Sequence, residues 1–370
     1  MPVTRQQIFA ITLAVAVLTF CGLAVLGFYF VRARQHYEGS SFAFSGESFI
    51  QEDPLIGYSQ RANITMSHTA EPRYTVHTDG NGARVSGRGI AADKEVDILA
   101  IGGSFTWGHG VDEPDTFARL VAERGGWTLA NVAIASYGMT ASMLSLEKYR
   151  HLRPRVVVYG FIADHVRRSL VPCAPSLSPL CRTVAFVDFD ELDRPFISYP
   201  ERSSAEYYDY LDDVILAHEF AFSDIYWAIR RDLLNVTGDG QRGLNHRYSQ
   251  HASGEPYRAA AIELLVREMV QRVEELGAEL VVVYIPTRGS GAQSAASLEE
   301  AFAVPEREIA FVDVTAPFAI SRKEHGPEIL KVAPNDEHPS AFAHELVADE
   351  LFPVVTRLLR ASDQGTTPPP

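Results

Sequence analysis

Apolar positions are arranged in two different ways along this chain. Ile8 to Val31 form one uninterrupted run of 24 residues without a charged side chain. Beyond residue 96 the apolar residues come as short β-branched clusters alternating with stretches of helical spacing. Val96–Ile101, Leu129–Ile134, Arg155–Phe161 (with Val156, Val157 and Val158), Glu279–Ile285 and Ile309–Val314 read as buried strands. Between them, Pro114 at the first helical position, then Phe117, Leu120 and Val121, with Gly125 beyond, predict a capped helix. Ala141–Leu152 predicts a second helix. Ile262, Leu265, Met269, Val273 and Leu276 predict another that stops at Gly277, and Ser340–Arg360 predicts a last helix bent near Pro353. Strands that are continuously apolar and alternate with helices predict a parallel sheet covered on both faces, with ligands at the carboxyl ends of the strands. The stretch 170–250, rich in Pro, Tyr, Phe and Asp, breaks the alternation and reads as an insertion, either a cap over the site or surface decoration.

The first run changes the picture of the whole chain. As a helix it spans about 36 Å, enough to cross a bilayer with some tilt. A cleaved signal peptide has a shorter apolar region ending in small residues, whereas this run ends in Phe28-Tyr29-Phe30-Val31, an aromatic interface belt. Residues 1–34 are therefore read as an uncleaved anchor, 35–50 as a linker, 51–360 as one enlarged domain and 361–370 as a disordered tail. The chain carries 33 Lys+Arg against 47 Asp+Glu, a net −14. The first 34 residues hold only Arg5, Arg32 and Arg34, so the rest stands at −17. An acidic globule argues against nucleic acid as a partner. An apolar share of 46% excludes a disordered chain. Cys173 and Cys181 bracket a loop-like stretch. A disulfide there would need an oxidising compartment, and two free thiols are the other reading. With basic residues on both sides of the anchor, the orientation preferred is cytoplasmic N-terminus and globule outside, the periplasm in a Gram-negative cell.

Two motifs carry chemistry. Ile101-Gly102-Gly103-Ser104-Phe105-Thr106-Trp107-Gly108 follows the first strand. Glycines there allow a tight turn that pushes a serine hydroxyl into the cleft and frees its backbone N–H. A phosphate loop would end in Gly-Lys-Ser/Thr, and no Lys is present. Far downstream, Pro334-Asn335-Asp336-Glu337-His338-Pro339-Ser340 precedes the last helix. Serine needs a base and the base needs an acceptor. Asp336, two residues before His338, points the same way in an extended segment.

Taken together these blocks resemble the SGNH/GDSL hydrolase family over roughly Asp53 to Arg360. Ser104 matches the nucleophile block. Asn131-Val132-Ala133-Ile134-Ala135-Ser136-Tyr137-Gly138 matches the second block, which contributes a backbone N–H to the oxyanion hole. Gly160-Phe161-Ile162-Ala163-Asp164 falls at the third, and Asp336 and His338 match the last. Asp53–Tyr58 and Tyr74–Arg84 resemble the leader of membrane-anchored bacterial members. The resemblance implies a flavodoxin-like three-layer α/β/α domain and ester chemistry without a metal or cofactor. Ser136 stands where the family usually has Gly, with Gly138 two further on. Ala163 stands where an oxyanion-donating Asn is usual, leaving Asp164 as a donor only if protonated. The acid usually lies at the place of Asn335, so Asp336 must serve.

The expected oxyanion set is Ser104, Ser136, Gly138 and Asp164, with Ser104, His338 and Asp336 catalytic. His109 reads either as a cleft residue or as a solvent-facing one, and His165 either as a residue facing the site or as a packing or surface residue. A metal site of Asp336, His338 and His344 does not follow a usual ligand spacing. The expected activity is a membrane-anchored serine esterase acting on an O-acyl group, with an acylated envelope carbohydrate as the partner suited to the location. The alternatives are an O-acetyltransferase sharing the acyl-enzyme and a catalytically weak binding or assembly protein.

Overall fold

The computed structural model describes residues 4–39, 44–46, 48–68, 72–87, 95–175, 180–199, 205–210, 222–287, 292–303, 307, 309–334 and 336–363. Asn335, part of the linker and most of the C-terminal tail lie outside them. Helix α1 (Arg5–Gly39) carries the apolar run; its segment Arg5–Arg34 is long and apolar enough to cross a membrane. The leader then forms short antiparallel strands: β1 (Phe44–Gly46), β2 (Ile50–Asp53), β3 (Gly57–Gln60), β4 (Thr65–His68), β5 (Tyr74–Thr78) and β6 (Arg84–Val85).

The domain proper opens with β7 (Ile98–Gly102), α2 (Ser104–Trp107), α3 (Phe117–Gly125), β8 (Leu129–Asn131), α4 (Met139–Lys148), β9 (Val156–Phe161) and α5 (Asp164–Arg168). Two hairpins follow, β10 (Cys173–Ala174) with β11 (Arg182–Thr183), and β12 (Phe186–Phe189) with β13 (Pro195–Ser198). Next come α6 (Ala205–Tyr210), α7 (Phe222–Thr237), α8 (Gln241–Arg247), α9 (Ser249–Ser253) and α10 (Glu255–Glu275). The chain closes with β14 (Glu279–Tyr284), α11 (Ala292–Phe302), β15 (Ala310–Asp313), α12 (Thr315–His325), the hairpin β16 (Lys331–Ala333) and β17 (Asp336–Pro339), and α13 (Ala341–Asp363).

Five parallel strands lie in the order β8-β7-β9-β14-β15, the flavodoxin-like arrangement, with the topological switch beside β7. Alternate residues of each strand feed two separate cores. Leu99, Ile101, Val157, Tyr159, Leu280 and Val282 pack with α4 and α10 on one face. Ile98, Ala100, Val156, Val158, Val281 and Val283 pack with α3 and α13 on the other. This period-two split makes three layers.

The expected strands and helices are present with small shifts. Pro114 lies in a 3-10 turn, Glu113–Asp115, and Thr116 caps α3 by accepting from the Arg119 N–H. A threonine side chain can satisfy that orphan donor; proline at the predicted position could not. Helix α13 runs through Pro353 as one element. The sheet is larger than the alternation implied. β6 pairs antiparallel with β8 at Arg84 and Asn131, and β5, β4 and β1 follow, giving nine strands. The insertion packs mainly against α4, α5, α10 and, through α7, against α1. Cys173 and Cys181 are bonded, with Cα atoms 5.1 Å apart.

Candidate active site

The turn after β7 shows why two glycines precede the serine. Gly102 has φ +147°, and a Cβ there would stand 2.6 Å from the Gly160 carbonyl oxygen. Gly103 then N-caps α2, so Ser104 begins a helix at the sheet's carboxyl edge, where its N–H has no partner within the helix. The C-terminal hairpin supplies the rest. Residues two apart on β17 share a face, which sets Asp336 and His338 side by side. His338 Nε2 lies 2.8 Å from Ser104 Oγ, and His338 Nδ1 lies 2.5 Å from Asp336 Oδ1. A carboxylate only accepts, so Nδ1 carries the proton, and Nε2 is free to accept from the serine hydroxyl.

The relay does not stop at the acid. His109 Nε2 lies 3.4 Å from Asp336 Oδ2, and its Nδ1 lies 3.0 Å from Tyr74 Oη. The rings of His109 and His338 are 4.3 Å apart. Burial holds the His109 pKa below the ordinary value, and His338 lowers it further although Asp336 opposes the shift. A neutral His109 that donates from Nε2 must accept at Nδ1, so the Tyr74 hydroxyl donates to it. Burial alone would raise the Asp336 carboxyl, but hydrogen bonds from His109 and His338 bring it well below the usual carboxylate range. Asp336 is thus an ionised acceptor shared by two imidazoles.

His109 is itself fixed by a buried arginine. Arg84, fully buried on β6, donates Nη1 to the carbonyls of Trp107 and Gly108 at 2.6 Å each, and Nη2 to Val111 at 2.5 Å. Its guanidinium also sits 4.9 Å from the Trp107 ring centre. Burial lowers its pKa to about 10, which leaves it charged. The leader thus contributes Tyr74 as a member of the relay and Arg84 as the clamp on the loop that carries His109. Neither role was readable from spacing, because each contact joins a leader strand to a loop remote from it in sequence.

The second block lies against the turn that carries Ser104, with the Ile134 N–H donating to the Gly102 carbonyl at 3.1 Å. Tyr137 N–H closes the turn onto Ile134, and Ser136 inside it has φ +72°. That left-handed conformation favours glycine, so Ser136 occupies a glycine position at some strain. Gly138 N-caps α4. Asn131 ties β8 to α2, donating to the Thr106 carbonyl at 3.0 Å.

The third block departs from expectation. Asp164 accepts from Arg167 Nε at 2.7 Å and Arg168 Nε at 2.6 Å. Burial pushes its carboxyl up, but the two guanidiniums bring it below the ordinary value. It is ionised and only accepts, which corrects the expectation of an oxyanion donor there. The next residue occupies the space instead. His165 is fully buried, its Nδ1 is 3.1 Å from Tyr159 Oη, and its Nε2 has no hydrogen-bond partner among the described residues. A Cβ on Gly103 would lie 2.6 Å from that Nε2, so glycine beside Ser104 is what makes room for the ring. Burial depresses its pKa to about 3, so the ring is neutral.

His344 stands apart from Asp336 and His338. It is buried on α13, accepts from the Phe117 N–H at 3.2 Å and has a pKa lowered by burial to about 3. The titratable cluster that does form is His109, Asp336 and His338, whose ligand-type atoms lie within 4.8 Å of one another. Both nitrogens of His338 are already engaged, by Asp336 and Ser104, so a metal could take that ring only by breaking the relay.

No protein-family model matches the sequence, and no curated protein matches it. Among solved structures the chain is similar to a protein assigned to the lipolytic G-D-S-L family from Desulfitobacterium hafniense DCB-2, at 12% identity and TM-score 0.35, over 70% of this chain and 98% of that one. It is also similar to an assigned acylhydrolase from Bacteroides fragilis NCTC 9343, at 12% identity and TM-score 0.36, over 74% and 92% of the two chains. A third is a carbohydrate esterase described as having divergent catalytic and non-catalytic binding functions, at 12% identity and TM-score 0.37, over 85% and 88%.

Proposed function

We propose that this protein is a membrane-anchored serine esterase that cleaves an O-acyl ester through an acyl-enzyme. The observation that carries the reading is the continuous set Ser104 Oγ, His338 Nε2, His338 Nδ1 and Asp336 Oδ1, with separations of 2.8 and 2.5 Å. His338 takes the serine proton as Oγ attacks the ester carbonyl. Asp336 stabilises the imidazolium that forms, and His338 then protonates the leaving alcohol. Water, activated by the same imidazole, releases the acid.

Oxyanion donors in this scheme are the N–H groups of Ser104, Ser136 and Gly138. His165 takes the place that Asp164 does not fill. With the Tyr159 hydroxyl donating to Nδ1, the remaining proton sits on Nε2, beside Gly103. A neutral, buried N–H donor is suited to a developing oxyanion because it needs no reorganisation when charge appears.

The Cys173–Cys181 bond and the apolar helix α1 together favour a domain held outside the cytoplasm, at a membrane surface. An acyl ester on an envelope carbohydrate suits that place, and the acidic globule disfavours strongly anionic substrates. The test is hydrolysis of 4-nitrophenyl acetate by the full chain in detergent, beside Ser104→Ala. Turnover that vanishes in the variant supports the reading. Turnover that survives it, or none in either protein, overturns it.

A further inference from the structure

Helix α7 carries a feature that the active site does not use. It has three faces. Trp227 and Leu234 point into the main core. Ile225 and Ala228 pack with Ala33 and Tyr29 of α1, and Asp232 accepts from Arg32 at 2.6 Å. The remaining face displays Phe222, Tyr226, Ile229, Leu233 and Val236, between 42% and 86% exposed. Their spacing of four, three, four and three confines them to an arc of about 80°, centred roughly 130° around the helix from the core-facing pair. Scattered exposed apolar residues need no explanation, but a continuous stripe on one helix marks a contact surface.

We propose that this stripe lies in the interfacial layer of the same bilayer that α1 crosses, seating the globule on the lipid. The inference rests on reading α1 as a membrane anchor. The argument for lipid as the occupant is position. α7 meets α1 at Tyr29, Arg32 and Ala33, directly after the aromatic residues Phe28–Phe30, which is headgroup depth for a spanning helix. A helix held at that level, with one face on the globule and a second on α1, presents its third face to the membrane. The arginines nearby are paired, Arg230 with Glu206 and both Arg32 and Arg231 with Asp232. Attachment therefore depends on apolar insertion rather than on anionic lipid, as expected for a helix without a free basic face. The insertion acquires a role in consequence: α7 fixes how the domain sits over the bilayer.

The experiment uses the full chain with Cys21→Ser, reconstituted into phosphatidylcholine vesicles. Single cysteines carrying an environment-sensitive fluorophore replace Leu233 or Val236, with the exposed Glu350 of α13 as control. Quenching by nitroxide lipids labelled near the headgroup is expected to be several-fold stronger at Leu233 and Val236 than at Glu350, with quenching by aqueous iodide in the reverse order. This pattern should be the same with or without anionic lipid. Flotation with the vesicles after alkaline, high-salt washing reports on α1 separately. Protein that floats while both α7 labels stay fully open to iodide overturns the seating and leaves the anchor standing; protein that does not float overturns both. Labels shielded from iodide in proportion to protein density, without lipid quenching, would mean that a second copy covers the stripe, which also overturns the proposal.

Discussion

Around Ser104 the protein buries polar side chains and links them to one another, whereas along α7 it leaves apolar side chains exposed. Tyr74, His109, Asp336, His338 and Ser104 form one run of hydrogen-bonded or ion-paired neighbours. Along the α7 stripe only the Tyr226 hydroxyl has such a partner among the described residues, donating to Glu206 Oε1 at 3.1 Å, and exposure reaches 86% at Phe222. Both arrangements depart from the ordinary rule of apolar inside and polar outside. A buried polar chain is costly unless each member is satisfied, so it marks chemistry; an exposed apolar stripe is costly in water, so it marks a surface that meets something else. The site is sensitive to a single atom, while the stripe should tolerate change when no membrane is present.

That contrast can be broken most forcefully at Asp336. Asp336→Asn should lower kcat for 4-nitrophenyl acetate by roughly 10⁴-fold, because the amide can no longer hold the His338 tautomer. His109→Phe removes only the second donor to Asp336 and should cost far less, about 10- to 100-fold, in line with one charge-assisted hydrogen bond. Equal losses would mean that the two histidines act as a unit. Next, His165→Phe should reduce kcat about 100- to 1,000-fold with little change in KM, the usual cost of one oxyanion donor. His165→Gln, which keeps a donor, should recover part of it. An unchanged kcat in the Phe variant would remove His165 from the oxyanion set.

Stability separates the two regions as well. Arg84→Met leaves the carbonyls of Trp107, Gly108 and Val111 without their buried donor. It should cost about 3 kcal/mol or more, measured by urea unfolding of the full chain in detergent. The buried histidines set a pH dependence. An unfolded ring takes up a proton near pH 6.5, but folded His165 and His344 refuse it until about pH 3. Their contribution is complete above 6.5 and is lost as pH falls through that window, so Tm should decline as the buffer goes from pH 7 toward 4. His344→Leu should flatten the decline. The smallest effect belongs to the stripe: Val236→Ser in detergent should change stability by about 0.5 kcal/mol or less, as for exposed sites generally. A large loss there would mean that the stripe is packed against protein.

Much of this was legible in the sequence where physics is local. The alternation of apolar strands with helical spacing gave the parallel sheet, and Gly277, at φ +67°, does end a helix. The glycines before Ser104 and the two-residue step from Asp336 to His338 are likewise local signals of a turn and a strand face. What stayed hidden depends on tertiary approach. The leader's strands are two to five residues long and too short for periodicity to announce them, so the antiparallel half of the sheet and Arg84 with it went unread. The contacts of His109 with Asp336 and Tyr74, and of the His165 ring with Gly103, form only when the chain folds and leave no pattern in the sequence around either histidine. Asp164, a donor only if protonated, is instead kept ionised by Arg167 and Arg168, one helical turn away.

The most direct measurement is the mass of the full chain and its peptides after reaction with a fluorophosphonate. One phosphonyl adduct per chain is expected, carried by the Ser104 peptide, absent in Ser104→Ala and strongly slowed in Asp336→Asn. An adduct on another residue, or no adduct on the native chain, would contradict a nucleophile at Ser104.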